Sequence, residues 1–402
     1  MSLALASCRT ALTPPWVRND LWRRAQAVPS LDLRFADSKS LTDAVTGASL
    51  VTFTRASSGT FVDSAGVLQT AATDVPRFDH NPTTGESLGL LVEEQRTNLR
   101  LNSATYQPTS GGTPAAYTVD QVAPDGTLTG SRQTAATPRT FEDYTGIANA
   151  LYTFSFYCRV TSGTASFSIQ LKNAATDTVI TSDTSPVATT TWKRFSISGT
   201  TNGATPGARV EIVGVVPGFV FWGAQLEAGA TPTSYIATAG ATATRAADVA
   251  SITGSAFSSW YRQDEGTVFG AATINGIAAQ NYIAAIDAGA GFADSHLYYT
   301  VTGVPRFETF VASATQSQLI PAPATALTAG SQFAMAYAFK QNDFAASRND
   351  GSVATDVSGN VPTVNRLAIG SSGSGFQLNG TIRRLVCWGQ RLPNSTLQSI
   401  TQ

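Results

Sequence analysis

Residues 152–159 read YTFSFYCR, and within this stretch large apolar side chains alternate with more polar ones. The two resulting sets are Tyr152, Phe154, Phe156 and Cys158 on one side, and Thr153, Ser155, Tyr157 and Arg159 on the other. Because successive side chains of a strand point to opposite faces of a sheet, the pattern predicts a β-strand with one buried and one wet face. Antiparallel sandwiches produce this alternation.

The same alternation recurs along the chain, from LDLRF at 31–35 and VTFTR at 51–55 to the apolar run at 219–222. Turn-forming clusters such as SSG at 57–59 and DSAG at 63–66 separate these runs. Short strands with closely spaced turns favour a sandwich or barrel over a sheet with helical crossovers. We therefore predict a mainly β protein of tandem antiparallel β-sandwiches, without the 20–50-residue period of a solenoid.

The composition narrows the class of protein. The chain has 402 residues, of which 13% are charged, and its 26 Lys and Arg nearly cancel its 27 Asp and Glu. This balance excludes a strongly basic nucleic-acid binder and a disordered polyelectrolyte. No run of 18 apolar residues occurs, so no membrane insertion is expected. The N-terminal MSLALASCRT lacks the charge and apolar length of a signal peptide, so we expect synthesis in the cytoplasm.

Residues that catalyse reactions or bind metals are scarce. The chain has two histidines and three cysteines, whereas a zinc site needs three or four nitrogen or sulfur ligands at close spacing. Hydrolase-elbow, metalloprotease, P-loop and C-x-x-C motifs are absent from the sequence. The adjacent acids Glu93-Glu94, Glu142-Asp143 and Asp264-Glu265 would point to opposite faces of a strand, and Asp79-His80 precedes a turn. We predict no catalytic residue, no metal site and no enzyme.

Residues 1–30 differ from the rest because they favour a helix. A Thr-Pro-Pro sequence, which the first turn of a helix tolerates, opens the run Trp16–Ala27 with apolar residues at helical spacing. Two interpretations stay open. The segment is either a short helix packed on its own domain or a docking segment for a partner protein, in which Trp16, Trp22 and Arg23 would make the contacts.

Three stretches of the N-terminal part carry a resemblance to a known group of proteins. They are FTRASSGTFVD at 53–63, VPRFDH at 75–80 and GESLGLLVEEQRTNL at 85–99. Together they resemble segments common in virion proteins of tailed bacteriophages. The resemblance implies a tail-fibre, tail or head-surface protein located in the virion, whose segment 1–30 would contact other virion proteins.

Two later parts resemble β-sandwich families. Residues 98–236 are similar to jelly-roll carbohydrate-binding modules, in particular through FVFWGAQLE at 219–227. Residues 248–402 resemble laminin-G or concanavalin-A-like sandwiches. The matching pieces there are GTVF at 266–269, NDG at 349–351, LAIG at 367–370 and NGTIRRL at 379–385. Residues 31–97 would then form a separate β-rich region, and the small residues of 237–247 a linker or an extended strap.

No cofactor is expected. Jelly-roll modules of the resembled kind often hold a structural calcium near an acidic residue of the closing strand. Gly223 stands about where that residue would be expected, and NDG at 349–351 is more simply a turn. A structural calcium therefore has no support from the residues.

Aromatic side chains are the candidates for ligand binding, because a sugar ring packs its apolar C–H face on Trp or Tyr while polar side chains bind its hydroxyl groups. The candidates are Tyr144, Tyr157, Trp192 and Trp222 in the jelly-roll-like part, and Trp260, Tyr298 and Trp388 in the last part. The alternative for each is a place in a core, since large aromatic residues dominate core burial.

These expectations combine into one functional hypothesis. The protein would be a phage receptor-binding adhesin that recognises host surface polysaccharide, and a homo-oligomer, most plausibly a trimer, would add avidity. A non-catalytic head-decoration or tail-surface protein is the close alternative. A polysaccharide depolymerase spike is a third, less favoured one, because its two carboxylates would have to come from distant positions.

Overall fold

The computed structural model describes residues 20–402 except 108, 111–112, 115, 145–148, 202–206, 290–291 and 374. Regular structure in this part of the chain is almost entirely antiparallel β-strand, with four short helices, which confirms the mainly β prediction. The elements up to residue 98 are α1 (Asp20–Ala25), β1 (Leu31–Leu33), α2 (Phe35–Ser38), β2 (Thr52–Thr54), β3 (Gly59–Val62), β4 (Leu68–Ala71), β5 (Phe78–His80), β6 (Ser87–Val92) and β7 (Arg96–Asn98).

The next strands form a β-sandwich that we call the jelly-roll sandwich. They are β8 (Thr109–Ser110), β9 (Thr113–Pro114), β10 (Tyr117–Gln121), β11 (Gly130–Gln133), β12 (Thr137–Tyr144), β13 (Leu151–Val160), β14 (Ala165–Ser166), β15 (Ser168–Asn173), β16 (Val179–Asp183), β17 (Val187–Ala188), β18 (Lys193–Thr200), β19 (Ala208–Val215) and β20 (Phe219–Ala228). One sheet has the order β10-β11-β20-β13-β18 and the other β16-β15-β19-β12-β8-β9. As predicted, Phe154, Phe156 and Cys158 of β13 are buried in the core, with Ile212 of the facing sheet.

The remaining elements belong mostly to a second sandwich, which we call the composite sandwich. They are β21 (Ala243–Arg245), β22 (Val249–Thr253), α3 (Gly254–Ser258), β23 (Glu265–Ile274), β24 (Gln280–Asp287), β25 (Ser295–Val301), β26 (Val304–Val311), β27 (Ala314–Leu319), β28 (Gln332–Lys340), β29 (Phe344–Arg348), β30 (Ala354–Asp356), β31 (Arg366–Ile369), β32 (Gly380–Trp388) and α4 (Asn394–Ile400). One sheet has the order β30-β29-β28-β23-β32-β6-β5, with β1 also on β32. The other has the order β2-β22-β31-β24-β25-β26-β27.

Strands from residues 31–97 complete both sheets of the composite sandwich. β1 and β6 pair with β32, and β2 pairs with β22. Leu31, Leu33 and Phe53 are buried in the same core as the later strands. The sequence predicts that 31–97 and 248–402 form separate regions. In the structure the two ranges share sheets, because the apolar side chains of such short strands need a larger sheet to cover them.

Residues 237–247 run between the two sandwiches as an extended strap. Within the strap, β21 pairs with β7. The Asn98 side chain donates a hydrogen bond from Nδ2 to the Ile236 carbonyl oxygen at 2.9 Å. The chain therefore enters and leaves the jelly-roll sandwich at neighbouring points.

Five charged side chains form a buried ion cluster at the junction of the strap with β2, β5 and β6. They are Arg55, Arg77, Glu93, Arg245 and Asp248, each at most 3% exposed. Asp248 accepts from Arg55 at 3.1 Å and from Arg77 at 2.5 Å, and Glu93 lies 2.9 Å from Arg77. The cluster ties together residues that are nearly 200 positions apart in the sequence.

Glu93 extends the buried ion cluster to the jelly-roll sandwich. The backbone N–H and the hydroxyl of Ser234 donate to its two carboxylate oxygens at 2.7 and 2.6 Å. Burial opposes ionisation of Glu93, but Arg245, Arg77 and the Ser234 hydrogen bonds outweigh it and lower the pKa of Glu93 to about 2. The carboxylate is therefore ionised in the folded protein at neutral pH.

The short helices α1 and α4 cover part of the outer face of the β28-β23-β32 sheet. Leu21 and Ala25 of α1 pack with Leu397 and Ile400 of α4 in one buried cluster. The predicted helix Trp16–Ala27 is observed from residue 20 onward, and its earlier residues lie outside the described part. No helix in the described ranges is long and apolar enough to cross a membrane.

Candidate functional site

A cleft of about 1020 Å³ opens between the jelly-roll sandwich and the β3–β4 hairpin, and we call it the junction cleft. Val62 and Leu68 of the hairpin form one wall. Tyr157 and Trp192 line the opposite side, and the segment 189–194 continues its rim. The cleft thus has both apolar walls and aromatic rings.

Tyr157 lies on the outer face of β13, opposite Trp222 of β20. A β-bulge follows in β20, where Gly223 has φ +63°. A Cβ atom at Gly223 would lie 3.0 Å from Cδ2 of the Tyr157 ring, so glycine is needed for the tyrosine to approach this closely. The Tyr157 and Trp222 rings then meet edge to face, with centroids 5.6 Å apart.

Trp192 is half-buried and held from two sides. Its indole Nε1 donates to the Val122 carbonyl oxygen at 3.1 Å. The Arg159 guanidinium lies 5.2 Å from the centre of its ring, within the range of a cation–π contact. These contacts fix the orientation of the ring before any ligand is bound.

The hairpin wall is held in place by Asp79 and His80. Val62 donates its backbone N–H to Asp79 Oδ1 at 2.7 Å, and its carbonyl oxygen lies 2.9 Å from His80 Nδ1. Burial raises the pKa of Asp79 to about 6. Asp79 and His80, which the sequence analysis weighed as triad residue types, thus have a structural role in positioning Val62.

Three cationic residues line the junction cleft, namely Arg159, Lys193 and Arg194. The side chains of Arg159 and Arg194 leave the same face of the sheet as Tyr157, whereas the Lys193 ammonium lies on the opposite face, 5.2 Å from the centre of the Phe195 ring. Of the described residues that line it, none is Asp or Glu. Arg159 donates to Gln121 Oε1 at 2.6 Å, and burial lowers its pKa. The sequence alone does not identify these three residues as a site. Arg159 follows Tyr157 on the same face of β13, but the pairing that brings Arg194 opposite Tyr157 is not visible in the sequence.

Two of the seven predicted aromatic residues, Tyr157 and Trp192, line the junction cleft. The other five are buried: Trp222 beneath Tyr157 and Tyr235, Tyr144 in the jelly-roll core, and Trp260, Tyr298 and Trp388 in the composite sandwich. Their rings are at most 8% exposed, so they offer no face to a sugar. For these five, the core alternative agrees with the packing.

The predicted docking residues lie on or before α1. Trp22 is half-buried, and its Nε1 donates to Asp32 Oδ2 of β1 at 2.9 Å. Arg23 is exposed, and Trp16 lies outside the described residues. The indole of Trp22 therefore contacts its own sandwich, whereas contact with a partner protein stays a prediction.

The adjacent acid pairs that the sequence analysis considered all form ion pairs. The pairs are Glu93–Arg77, Glu94–Arg96, Glu142–Arg100, Asp143–Arg209, Asp264–Arg262 and Glu265–Arg262. Among the described residues, no group of three or more His, Cys, Asp or Glu is arranged to hold a metal ion. Asn349 and Asp350 both have positive φ and are turn residues.

No family model and no curated protein matches the sequence. Among solved structures, the Ruminococcus gnavus IT-sialidase CBM40 bound to α2,3-sialyllactose is 16% identical over 35% of this chain and 83% of its own, with a TM-score of 0.31. The leech intramolecular trans-sialidase is 15% identical over 35% of this chain and 23% of its own, with a TM-score of 0.31. The heptameric SAP-like pentraxin from Limulus polyphemus is 14% identical over 34% of this chain and 70% of its own, with a TM-score of 0.27. With TM-scores this low, these likenesses support no inference about the ligand, activity or assembly of this chain.

Proposed function

We propose that this chain binds glycans and that the saccharide occupies the junction cleft. The observation that supports this most is the presence of two half-buried aromatic rings, Tyr157 and Trp192, in an open cleft of about 1020 Å³. Small-ligand sites are usually concave, mostly apolar and equipped with a few placed polar groups, and this cleft has that form. The apolar face of a sugar ring would pack on the aromatic rings, and its hydroxyl groups would reach the rim.

Preorganisation of the two rings adds support. Trp192 is fixed by its hydrogen bond to Val122 and by Arg159, and Tyr157 is fixed against Trp222. A binding site that is already ordered loses less conformational entropy when the ligand enters. Because solvent-exposed sugar sites bind weakly, a smaller loss of conformational entropy raises their affinity noticeably.

In its biological setting, we propose a phage virion adhesin that recognises host surface polysaccharide. The support is the resemblance of 53–63, 75–80 and 85–99 to virion protein segments. Several copies in a homo-oligomer, for which we propose a trimer, would add weak sites through effective concentration. Gold-labelled antibody on negatively stained virions tests this setting, and absence of label from the particle would contradict it.

We further propose that the chain binds glycan without cleaving it. No acid lines the junction cleft among the described residues, and the adjacent acid pairs are engaged by arginines. Glycoside hydrolysis by the usual route needs two carboxylates flanking the scissile bond. Release of reducing ends from host polysaccharide by the purified protein would contradict this proposal.

The direct test of glycan binding is a glycan array followed by titration calorimetry with Trp192→Ala and a matched control. The control is Phe376→Ala, which removes an exposed aromatic ring of the composite sandwich, 47% exposed and outside the cleft. We expect Trp192→Ala to weaken binding about tenfold or more, which corresponds to about 1.4 kcal/mol, and Phe376→Ala to leave it unchanged. If the protein binds no glycan even when many copies are immobilised on one surface, glycan binding is refuted and a non-catalytic head-decoration or tail-surface protein becomes the better explanation.

A further inference from the structure

The cationic side chains of the jelly-roll part fall into two groups. Residues 98–236 contain six arginines and two lysines, and all eight belong to the described part of the chain. Five of them form ion pairs with carboxylates, namely Arg100, Arg132, Arg139, Lys172 and Arg209. The other three, Arg159, Lys193 and Arg194, form no ion pair with any described residue and line the junction cleft. Of these, Arg159 and Arg194 share the face of Tyr157, whereas the Lys193 ammonium lies over Phe195 on the opposite face.

The two arginines are neighbours of Tyr157 on the outer face of the sheet, and the Arg194 guanidinium lies 5.5 Å from the centre of the Tyr157 ring. Arg194 is directly opposite Tyr157 in the β13–β18 pairing, so both side chains leave the same face of the sheet. Arg159 is two residues along β13, on the same face and about 7 Å away along the strand. A sugar bound at Tyr157 would therefore have one guanidinium group within reach across the sheet and a second along the strand.

Neutral partners already hold both guanidinium groups in position. Arg194 donates to the Thr233 carbonyl oxygen at 2.6 Å and to Ser155 Oγ at 2.8 Å. Arg159 donates to Gln121 Oε1 and packs on Trp192. Such contacts orient a guanidinium without neutralising it, and a partly buried cation without an anion is unfavourable. An incoming anion would gain charge-assisted hydrogen bonds here without first displacing a protein carboxylate.

We propose that the glycan bound in the junction cleft is acidic, and that Arg159 and Arg194 bind its anionic group while Tyr157 and Trp192 pack on its rings. This inference rests on the proposed glycan-binding function. A planar carboxylate matches the fork of a guanidinium group, so a carboxylate-bearing sugar is the preferred ligand, with sulfated sugar second.

The first experiment uses the full chain on an array of uronate-bearing, sulfated and uncharged hexasaccharides. We expect retention on the uronate-bearing set and at least tenfold weaker binding after methyl esterification, which removes the charge and keeps the ring. Raising NaCl from 50 to 500 mM should weaken binding about tenfold, because screening shortens the reach of the cations. Preference for sulfated over uronate glycans would overturn the carboxylate assignment. Binding of uncharged glycans alone would overturn this inference and leave the proposed function standing, whereas no binding to any glycan would overturn both.

The second experiment compares two charge-removing variants by calorimetry with the best uronate hexasaccharide. Arg159→Gln removes a charge at the cleft, and Lys340→Gln removes an exposed charge from the composite sandwich. We expect Arg159→Gln to weaken binding more than tenfold and to reduce the salt dependence, and Lys340→Gln to change neither by more than twofold. Arg159→Lys, which keeps the charge, should weaken binding less than Arg159→Gln, with thermal unfolding measured alongside to check folding. Equal effects of Arg159→Gln and Lys340→Gln would refute the assignment.

Discussion

Replacing Asp248 with Asn would leave the buried Arg55 without a carboxylate partner and Arg77 with Glu93 alone. Asp248 is fully buried, and its carboxylate accepts from Arg55 and Arg77 and from the backbone N–H of Glu93 at 2.9 Å. Asn keeps the shape and one acceptor oxygen, so the change isolates the charge. The buried ion cluster of three arginines and two carboxylates would go from a net charge of about +1 to about +2.

The expected loss in the free energy of unfolding is about 3–5 kcal/mol, the usual result of breaking a buried ion pair from one side. The matched control is Asp264→Asn, which breaks an ion pair with Arg262 at the surface, where the side chains are 64% and 51% exposed. Exposed pairs contribute only about 0–1 kcal/mol because water and salt screen them. The same substitution should therefore differ severalfold in cost between the two sites.

Urea unfolding followed by tryptophan fluorescence measures both variants. With an m-value of about 3 kcal/mol per M urea, Asp248→Asn should lower the midpoint by about 1–1.7 M and Asp264→Asn by less than about 0.3 M. A loss below about 1 kcal/mol for Asp248→Asn, or equal losses for both, would refute the view that this cluster holds the two sandwiches together.

Three further predictions concern pH dependence and the β-bulge. Burial lowers the pKa of His296 to about 3 from 6.5, so between these pH values the unfolded chain binds a proton that the folded chain does not. The wild-type free energy of unfolding therefore falls by up to about 1.4 kcal/mol per pH unit below pH 6.5. His296→Gln should remove this contribution and make the free energy of unfolding less dependent on pH. Urea titrations at pH 6.5, 5.5 and 4.5 measure this slope, and an unchanged slope would contradict the assignment. Burial raises the pKa of Asp79 to about 6 from 3.8, so the ionised carboxylate destabilises the folded state at neutral pH and protonation between pH 6 and 4 favours it. Asp79→Asn should therefore raise the free energy of unfolding at pH 7.5 by up to about 3 kcal/mol, while its amide oxygen still accepts from the Val62 N–H. The gain should vanish at pH 3.5, and lower stability at pH 7.5 would argue against it. Gly223→Ala should cost about 1–3 kcal/mol and weaken glycan binding, because φ is +63° and the new Cβ would press on Tyr157; unchanged thermal unfolding would show that the bulge tolerates a side chain.

Local patterns were enough to predict the strands and much of the core. The alternation at 152–159 identifies the buried face of β13 because a strand has a period of two whatever surrounds it. The same pattern places Tyr157 on the outer face, where it lines the junction cleft. Trp192 was predicted from its residue type alone, since a tryptophan beside a strand start serves either a core or a ligand.

The pattern does not say what covers an outer face. Trp222 lies on the same outer face as Tyr157, yet Tyr235 packs on it with ring centroids 4.5 Å apart and leaves it fully buried. The buried ion cluster is equally hidden from local reasoning. Arg55 and Asp248 are 193 positions apart, and nothing around either residue indicates the other. Contacts of this kind depend on how whole modules meet.

The strap and the pairing of β1 with β32 have a consequence for biosynthesis. Leu31 pairs with Cys387, so β1 can pair with β32 only after residues as far as 387 have been synthesised. The jelly-roll segment is nested inside this long loop, and its two ends meet at Asn98 and Ile236. Folding of this inner module during translation would shorten the effective loop and lower the entropy lost when the outer strands close. A fragment beginning at residue 248 would lack β1, β2, β5 and β6, which complete both sheets of the composite sandwich. We therefore expect this fragment to fold only when the segment that contains these strands is present.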